Sequence, residues 1–348
     1  MKNLIFISCI LIILFKTGNV LSDNNIFNVN NIEINKEIYK NKEKLVNKAF
    51  EKAFDELSKR LFLDDDYKKI SKIDLKQIKK LVSYYQIINP EKTKKNKNIV
   101  VNVSFDKDRM HNFFHKFNIL YSDIINTDVI IFPLLIKEKK YFIYTQNYFY
   151  DNWDNKNSEN LIQYTLPVEN IENIQKINLN KENIYKLNIT DFFNEYKADN
   201  IVFVSIEINK DFAEAFLNTR IEGKKINKNL SIKKNKEISE KEFYNKIIYE
   251  IDIIIRDLIK SQNLIDVRTP SFLNVKMKLN SRKSNLNEFS NRIKNIDLID
   301  NYFVQELNKD YILIKIKYLG KINKIMRKLK EKKIYLKMIE GQWQLKIT

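Results

Sequence analysis

Two histidines, four residues apart, are the first candidates for chemistry in this chain. His111 and His115 stand on a predicted helix, and Asp108 lies one turn before them. Side chains at this spacing share a helix face and can hold a metal ion together. The sequence lacks the glutamate of a His-Glu-x-x-His motif. The apolar stripe of the helix lies elsewhere, at Met110, Phe113, Phe114 and Phe117. We therefore expect both histidines to face solvent and predict no metal site.

Two other short patterns raise the question of catalysis or ion binding. Ser231 and Lys234 match a Ser-x-x-Lys pattern, but they fall in a predicted strand without the companion motifs of such enzymes. Asp64–Asp66 is a run of acids without the glycine-containing loop and distal glutamate of a calcium site. Since consecutive acids point in different directions, we expect this run to be a turn that ends a helix.

Glycine usage excludes the common nucleotide-binding loops. The chain has four glycines, at Gly18, Gly223, Gly320 and Gly341. They are too far apart for a phosphate-binding loop or a dinucleotide fingerprint, and there is no Gly-x-Ser-x-Gly motif. We predict a non-enzymatic protein without a cofactor. A hydrolase that uses carboxylates from loops is an alternative that no spacing supports.

The N-terminus has the layout of a secretory signal peptide. Lys2 precedes an apolar run of twelve residues from Leu4 to Phe15, and the small residues Val20 and Ser22 fit a cleavage site after Ser22. We predict export to the periplasm, with an uncleaved leader that anchors the chain as the alternative. The only cysteine, Cys9, lies inside this leader, so the mature chain would have no thiol and no disulfide.

The formal net charge of +18 raises the question of an anionic partner. Asn, Lys and Ile are used heavily along the whole chain, as the codons of an AT-rich genome would impose. Much of the charge therefore has a compositional explanation. The hydrophobic content of 44% is ample for packed cores, so the charge does not indicate disorder.

Hydrophobic periodicity predicts an α+β protein of three small modules with mixed or antiparallel sheets covered by helices. Residues 23–126 read as a βαββα module, and residues 127–265 as a central α/β module. DVIIFPLLI, residues 128–136, is typical of a buried central strand. Ser239 and Glu242 form a capping box at the start of a long helix. The aromatic stretch at 148–160 is predicted to be a loop, with Trp153 either at a binding lip or packed inside.

The last module, residues 270–348, reads as two strand–helix–strand repeats. Fused, they predict a ferredoxin-like βαββαβ unit with one extra hairpin strand after a turn at Gly341. The second helix carries an apolar stripe, and from Lys321 to Lys333 it also has seven basic residues and one acid. The apolar stripe leaves one basic face, formed by Lys321, Lys324, Arg327, Lys328 and Lys332.

This basic face is the candidate binding site, for anionic lipid headgroups or an anionic envelope polymer. The absence of interleaved aromatic residues on the helix argues against single-stranded nucleic acid as the partner. A merely solvated helix face is the alternative. The second kind of contact that we expect is with an unidentified envelope protein, through sheet edges.

Several segments together resemble the bacterial domain-of-unknown-function 2066 family. They are the signal peptide and the stretches AFEKAFDELSKRLF, VVNVSFDKDRMHNFF, DVIIFPLL, QYTLPVENIENI and GQWQL. The matching elements are the Arg60-Leu61 pair, the Phe105-Asp106 step and Leu166-Pro167. Thr127-Asp128 and Asn170 depart from the family pattern.

The resemblance implies an exported bacterial envelope protein of stacked α+β modules and supplies no catalytic residues. With the missing catalytic motifs, it leads to the prediction of an interaction or assembly factor in the periplasm. A binder of anionic lipid or polymer is the alternative.

Overall fold

The structure is a computed structural model. It describes residues 25–348 except 40, 89–97, 125, 154–160, 194, 197, 236, 279–283 and 295. The predicted leader and most of the charged loop after Ile88 therefore lie outside the described residues.

The described chain contains both helices and strands, with mixed and antiparallel sheets, which confirms the α+β class. The helices are α1 (Lys42–Leu61), α2 (Asp64–Ile70), α3 (Leu75–Leu81), α4 (Lys107–Phe117), α5 (Tyr148–Asn152), α6 (Ile171–Leu179), α7 (Ile189–Phe192), α8 (Glu240–Ser261), α9 (Ser284–Ile293) and α10 (Ile322–Glu331), with a 3₁₀ helix at Lys181–Lys186. The strands are β1 (Asn28–Asn35), β2 (Val82–Ile88), β3 (Asn98–Phe105), β4 (Tyr121–Ser122), β5 (Thr127–Lys137), β6 (Lys140–Phe142), β7 (Ile162–Thr165), β8 (Ile201–Ile208), β9 (Phe212–Ile221), β10 (Lys224–Lys233), β11 (Leu264–Ile265), β12 (Ser271–Lys278), β13 (Ile299–Leu307), β14 (Tyr311–Tyr318), β15 (Ile334–Ile339) and β16 (Gln342–Ile347).

The chain divides into two compact units. Among the described residues, the first unit comprises those up to Ala53, Leu75–Phe117 and Asp266–Thr348, and the second comprises Phe54–Asp74 and Asn118–Ile265. Each of the three modules predicted from the sequence has its own sheet within these units. The three predicted module boundaries stay a prediction.

The sheet of the N-terminal region has the order β1-β3-β2 and is antiparallel throughout. Strict alternation in β3 makes one of its faces apolar, since every second residue of a strand points the same way. The buried side chains are Ile99, Val101, Val103 and Phe105. This alternation is why the strand could be predicted from the sequence alone.

The sheet of the second unit is mixed and has β5 in its interior. The strand order is β10-β9-β8-β5-β6, and β7 also pairs with β5. β5 is parallel to β7 and β8 and antiparallel to β6. Its side chains from Val129 to Ile136 are all buried, because apolar clusters cover both faces of the sheet. The prediction of a buried central strand is confirmed.

The buried Asn147 stabilises the turn that follows β6. The Asn147 amide group donates hydrogen bonds to the carbonyls of Pro133, Phe142 and Ile143 at 2.8–3.0 Å. Its side-chain oxygen accepts bonds from the backbone N–H groups of Phe149 and Tyr150, which start α5. The asparagine thus satisfies backbone groups that would otherwise be buried without partners.

Two segments, one predicted as a turn and one as a loop, form helices instead. Asp64–Asp66 does not end a helix but forms the first turn of α2, where carboxylates are favourable near the positive end of the helix dipole. Tyr148–Asn152, predicted as part of a loop, forms α5 because Asn147 caps it. The capping box of Ser239 and Glu242 at the start of α8 is confirmed.

The C-terminal sheet has the order β13-β14-β12-β16-β15. The element order from β12 to β15 is βαββαβ, as predicted. A ferredoxin-like sheet would place β15 beside β12, but β16 lies there instead, parallel to β12, and β15 is at the edge. The turn that folds β16 back has positive φ at Glu340 and Gly341, as a tight hairpin requires.

Candidate functional site

The predicted basic face of α10 is exposed along most of its length. Lys321 takes the N-cap position without a side-chain cap, and Arg327 is exposed. Lys324 is half-buried, and Lys328 forms an ion pair with Glu331 at 3.0 Å. No acid lies in the first turn, so the lysines there oppose the helix dipole. The opposite stripe of the helix is buried at Ile325 and Leu329.

The C-terminal end of α10 is tied down by a residue of the preceding helix. The Arg292 guanidinium donates to the carbonyls of Lys332, Lys333 and Thr348 at 3.0–3.2 Å. Lys332 itself is the exposed C-cap residue. The structure therefore groups Lys321, Lys324, Arg327 and Lys328 along the helix, while Lys332 lies at an end that has a structural role.

A second basic surface lies on the C-terminal sheet and was missed by sequence reasoning. Leu273, Val275 and Met277 of β12 are buried, and they are directly opposite Ile316, Ile314 and Ile312 of β14. The residues between them must point to the other side of the sheet. We call this other side the open sheet face.

Lysines and aromatic residues share the open sheet face. The strand registers place six lysines there, namely Lys276, Lys278, Lys315, Lys317, Lys337 and Lys346. Four aromatic residues lie among them, namely Phe272, Phe303, Tyr311 and Tyr335. Two carboxylates accompany them within the five strands: Asp300, paired with Lys317 at 2.6 Å, and Glu306. The excess of positive charge within these strands is therefore 6 − 2 = 4.

Aromatic rings hold two of these lysines in place. The Lys276 ammonium lies 3.8 Å from the centre of the Tyr311 ring, and the Lys315 ammonium lies 4.4 Å from that of Phe272. Such cation–π contacts stabilise an ammonium group over a ring and reduce the freedom of the side chain. Phe272 and Phe303 are still about half exposed, at 50% and 48%.

The two histidines of the metal hypothesis have different environments. The His111 ring is half-buried and lies edge-on, 5.8 Å from the ring of Phe27. Burial, with a smaller contribution from Lys107, lowers the pKa of His111 to about 4. The prediction that His111 faces solvent is wrong, because the chain just before β1 packs against α4. His115 is exposed, as expected.

Within the residues that the structure covers, no three His, Cys, Asp or Glu side chains come close enough together to hold an ion. Ser231 of the Ser-x-x-Lys pattern is exposed on β10, opposite Glu214. Trp153 is buried and packs 6.0 Å from the ring of Tyr164, so it belongs to the core and not to a binding lip.

A small cleft in the second unit is lined by charged residues of α8. Its volume is about 80 Å³. The Lys260 ammonium donates to the carbonyls of Lys59 and Phe62 at 2.6 and 2.5 Å. The Asp257 carboxylate accepts the N–H of Asp64 at 3.2 Å, and burial raises the pKa of this carboxyl group. Both charges bind the ends of neighbouring helices, so their placement is structural.

The described residues include no helix that is both long and apolar enough to cross a membrane.

Comparisons with known proteins add little to this geometry. No family model and no curated protein matches the chain. A crystal structure of a lipoprotein from Neisseria meningitidis is similar to this chain at 12% sequence identity and a TM-score of 0.22. The match covers 37% of this chain and 96% of the lipoprotein chain. A TM-score this low does not establish a shared fold.

Proposed function

We propose that this protein is an exported, non-enzymatic interaction factor of the bacterial cell envelope, and that its C-terminal sheet binds an extended anionic partner. The observation that carries the proposal is the open sheet face, with six lysines, two carboxylates and four partly exposed aromatic residues. The leader and the resemblance to the domain-of-unknown-function 2066 family support the location.

The spacing of the lysines favours an extended partner. Neighbouring strands lie about 4.8 Å apart, and same-face residues of one strand about 6.6 Å apart. Lys317 on β14 and Lys337 on edge strand β15 are therefore separated by about three strand spacings across the sheet. A single small anion cannot contact both, whereas an acidic polymer or an array of headgroups can. Each lysine near such a surface contributes about 1 kcal/mol.

The buried charged residues support a non-enzymatic role, because each of them has a structural partner. Lys260 and Asp257 bind backbone groups of α1 and α2, and the buried Asp252 accepts the Tyr164 hydroxyl at 2.7 Å. These groups hold the fold together, and the cleft that Lys260 and Asp257 line has a volume of only about 80 Å³.

The basic face of α10 is a second candidate for the same partner chemistry. Its exposed Arg327 and partly exposed Lys324 and Lys328 form a compact cluster on a different element from the open sheet face. The two surfaces can therefore be tested by separate sets of substitutions.

Binding to dextran sulfate and to phosphatidylglycerol vesicles tests the proposal. We expect Lys276→Glu with Lys315→Glu to weaken binding at least about tenfold, since each reversal removes an attraction and adds a repulsion. Binding by the unsubstituted protein should fall steeply as salt rises from 50 to 300 mM. Lys246→Glu with Lys241→Glu, on the exposed side of α8, is the control with the same change in net charge.

The alternatives give different results in the same assay. Loss of binding only with Lys324→Glu, Arg327→Glu and Lys328→Glu would move the site to α10. Equal losses in the sheet variant and in the α8 control would show that net charge alone is responsible, and would contradict the proposal. A preference for vesicles over dextran sulfate would identify headgroups as the source of the anions.

A further inference from the structure

Both edges of the C-terminal sheet expose apolar side chains. On β13, Phe303, Val304 and Leu307 are 43–62% exposed. On β15, Met338 and Ile339 are 47% and 43% exposed. Sheet edges carry unpaired backbone N–H and C=O groups, and proteins usually protect them with charges or covering elements. Two apolar edges on one sheet therefore need an explanation.

The two edges run in opposite directions. β13 is antiparallel to β14, β14 to β12, and β16 to β15, whereas β12 is parallel to β16. Consequently β13 and β15 are antiparallel to each other. If a second copy lies beside the first in the same orientation, β13 of one copy meets β15 of the other as an antiparallel pair. This geometry extends the sheet without turning either copy over.

Charges and apolar side chains match along such a pair. Glu306 and Lys337 both lie on the open sheet face, as do Phe303 and Ile339. A register that places Glu306 opposite Lys337 also places Phe303 opposite Ile339, because the β-bulge of β13 lies between Val304 and Glu306. On the other side of the sheet the same register sets Leu307 opposite Leu336.

We propose that copies of this chain associate edge to edge, β13 of one copy against β15 of the next, to form one continuous sheet. Pairing β13 with β13, or β15 with β15, uses the same edge twice. Neither like pair combines Glu306 with Lys337, so only the unlike pair gains the attraction of opposite charges. Contacts between unlike surfaces close into a ring or continue as a filament.

Edge-to-edge association needs no anionic partner, but it changes how such a partner binds. A continuous sheet repeats the open sheet face in every copy. A polymer would then contact several copies at once, and its apparent affinity would rise with its length. Self-association itself needs no ligand, so the two proposals can fail separately.

Sedimentation velocity of the purified protein, without any polymer, tests the inference. We expect the weight-average mass to rise with concentration beyond that of a dimer. Glu306→Lys alone and Lys337→Glu alone should each weaken association about tenfold, since each creates a like-charge pair. The double variant exchanges the two charges and should restore association. Lys346→Glu is the matched control, because β16 is an interior strand of the same face.

Three results would overturn the inference. The first is a monomer at all concentrations. The second is a mass that stops at the dimer with no effect of Lys337→Glu, which indicates a β13–β13 pair. The third is a double variant that associates no better than the single variants. Circular dichroism of each variant shows whether the fold is intact, and Leu336→Lys offers a second way to disturb β15.

Discussion

At the scale of single residues, His111 shows how one tertiary contact changes the chemistry of a side chain. It shares a helix with His115, yet only His111 packs against Phe27. A histidine whose charged form is desolvated prefers to stay neutral, and its pKa falls. The charged groups that act on the His111 ring are Lys107, Asp108 and Asp300. The His111 side chain is therefore part of the packing between α4 and the chain before β1.

The pKa of His111, about 4 in the folded chain against about 6.5 in the unfolded chain, predicts a pH dependence of stability. Between these values the unfolded chain binds more protons, so the free energy of unfolding decreases as the pH falls from about 6.5 to 4. Above 6.5 the stabilising contribution is fully present. Urea unfolding at pH 7.0, 5.5 and 4.5 should show a smaller decrease for His111→Gln than for the unsubstituted protein.

His115→Gln is the control for this prediction, since His115 is exposed on the same helix. It should follow the unsubstituted protein at each pH. An identical decrease in both histidine variants would show that His111 is not responsible.

At the scale of elements, α8 organises the second unit by binding the ends of two other helices. Lys260 donates to carbonyls at the C-terminal end of α1, and Asp257 accepts the first N–H of α2. Helix ends leave such groups without partners, and opposite charges are favourable at the two ends. This arrangement stabilises the short connection between Leu61 and Asp64, which links α1 to α2.

Replacing Lys260 by methionine should therefore destabilise the second unit. The substitution keeps the length of the side chain but leaves the carbonyls of Lys59 and Phe62 without their charged donor. We expect a loss of about 2–3 kcal/mol in the free energy of unfolding, measured with urea. Lys246→Met, on the exposed side of the same helix, should change it by less than about 0.5 kcal/mol. A comparable loss in both variants would contradict the capping role of Lys260.

At the scale of the whole molecule, location decides which partners the chain can meet. The predicted leader carries Cys9 and two of the lysines, so the exported chain would keep a formal charge of 18 − 2 = +16 and no thiol. A protein of this charge attracts acidic surfaces over several ångströms, and salt screens the attraction. The two basic surfaces of the C-terminal region concentrate this charge on particular elements.

Export predicts a specific mature N-terminus. Expressed in a bacterium with its own leader, the protein should be recovered from the periplasm with Asp23 as its first residue, by mass spectrometry of the intact chain. Replacing Val20 and Ser22 by larger residues should slow cleavage, because the site needs small side chains. Recovery of the full-length chain from the cytosol, with Met1 still attached, would contradict both the location and the proposed function.

Elements whose pattern is local can be predicted from neighbouring residues in the sequence. The alternation of β3, the apolar run of β5 and the capping box of α8 each depend on residues a few positions apart, and all three are present in the structure. The same holds for the apolar stripe of α10, and hence for the basic face opposite it.

Contacts between distant segments could not be predicted in this way. Three features join residues that are distant in the chain. They are the position of β16 between β12 and β15, the contact of His111 with Phe27, and the open sheet face. From the sequence alone, lysines at every second position of a strand can be explained by the composition of the chain. The strand register is needed to show which aromatic residue lies beside each lysine. Side-chain periodicity sets the direction in which a residue points, whereas the neighbours of that residue depend on pairing and packing between separate elements.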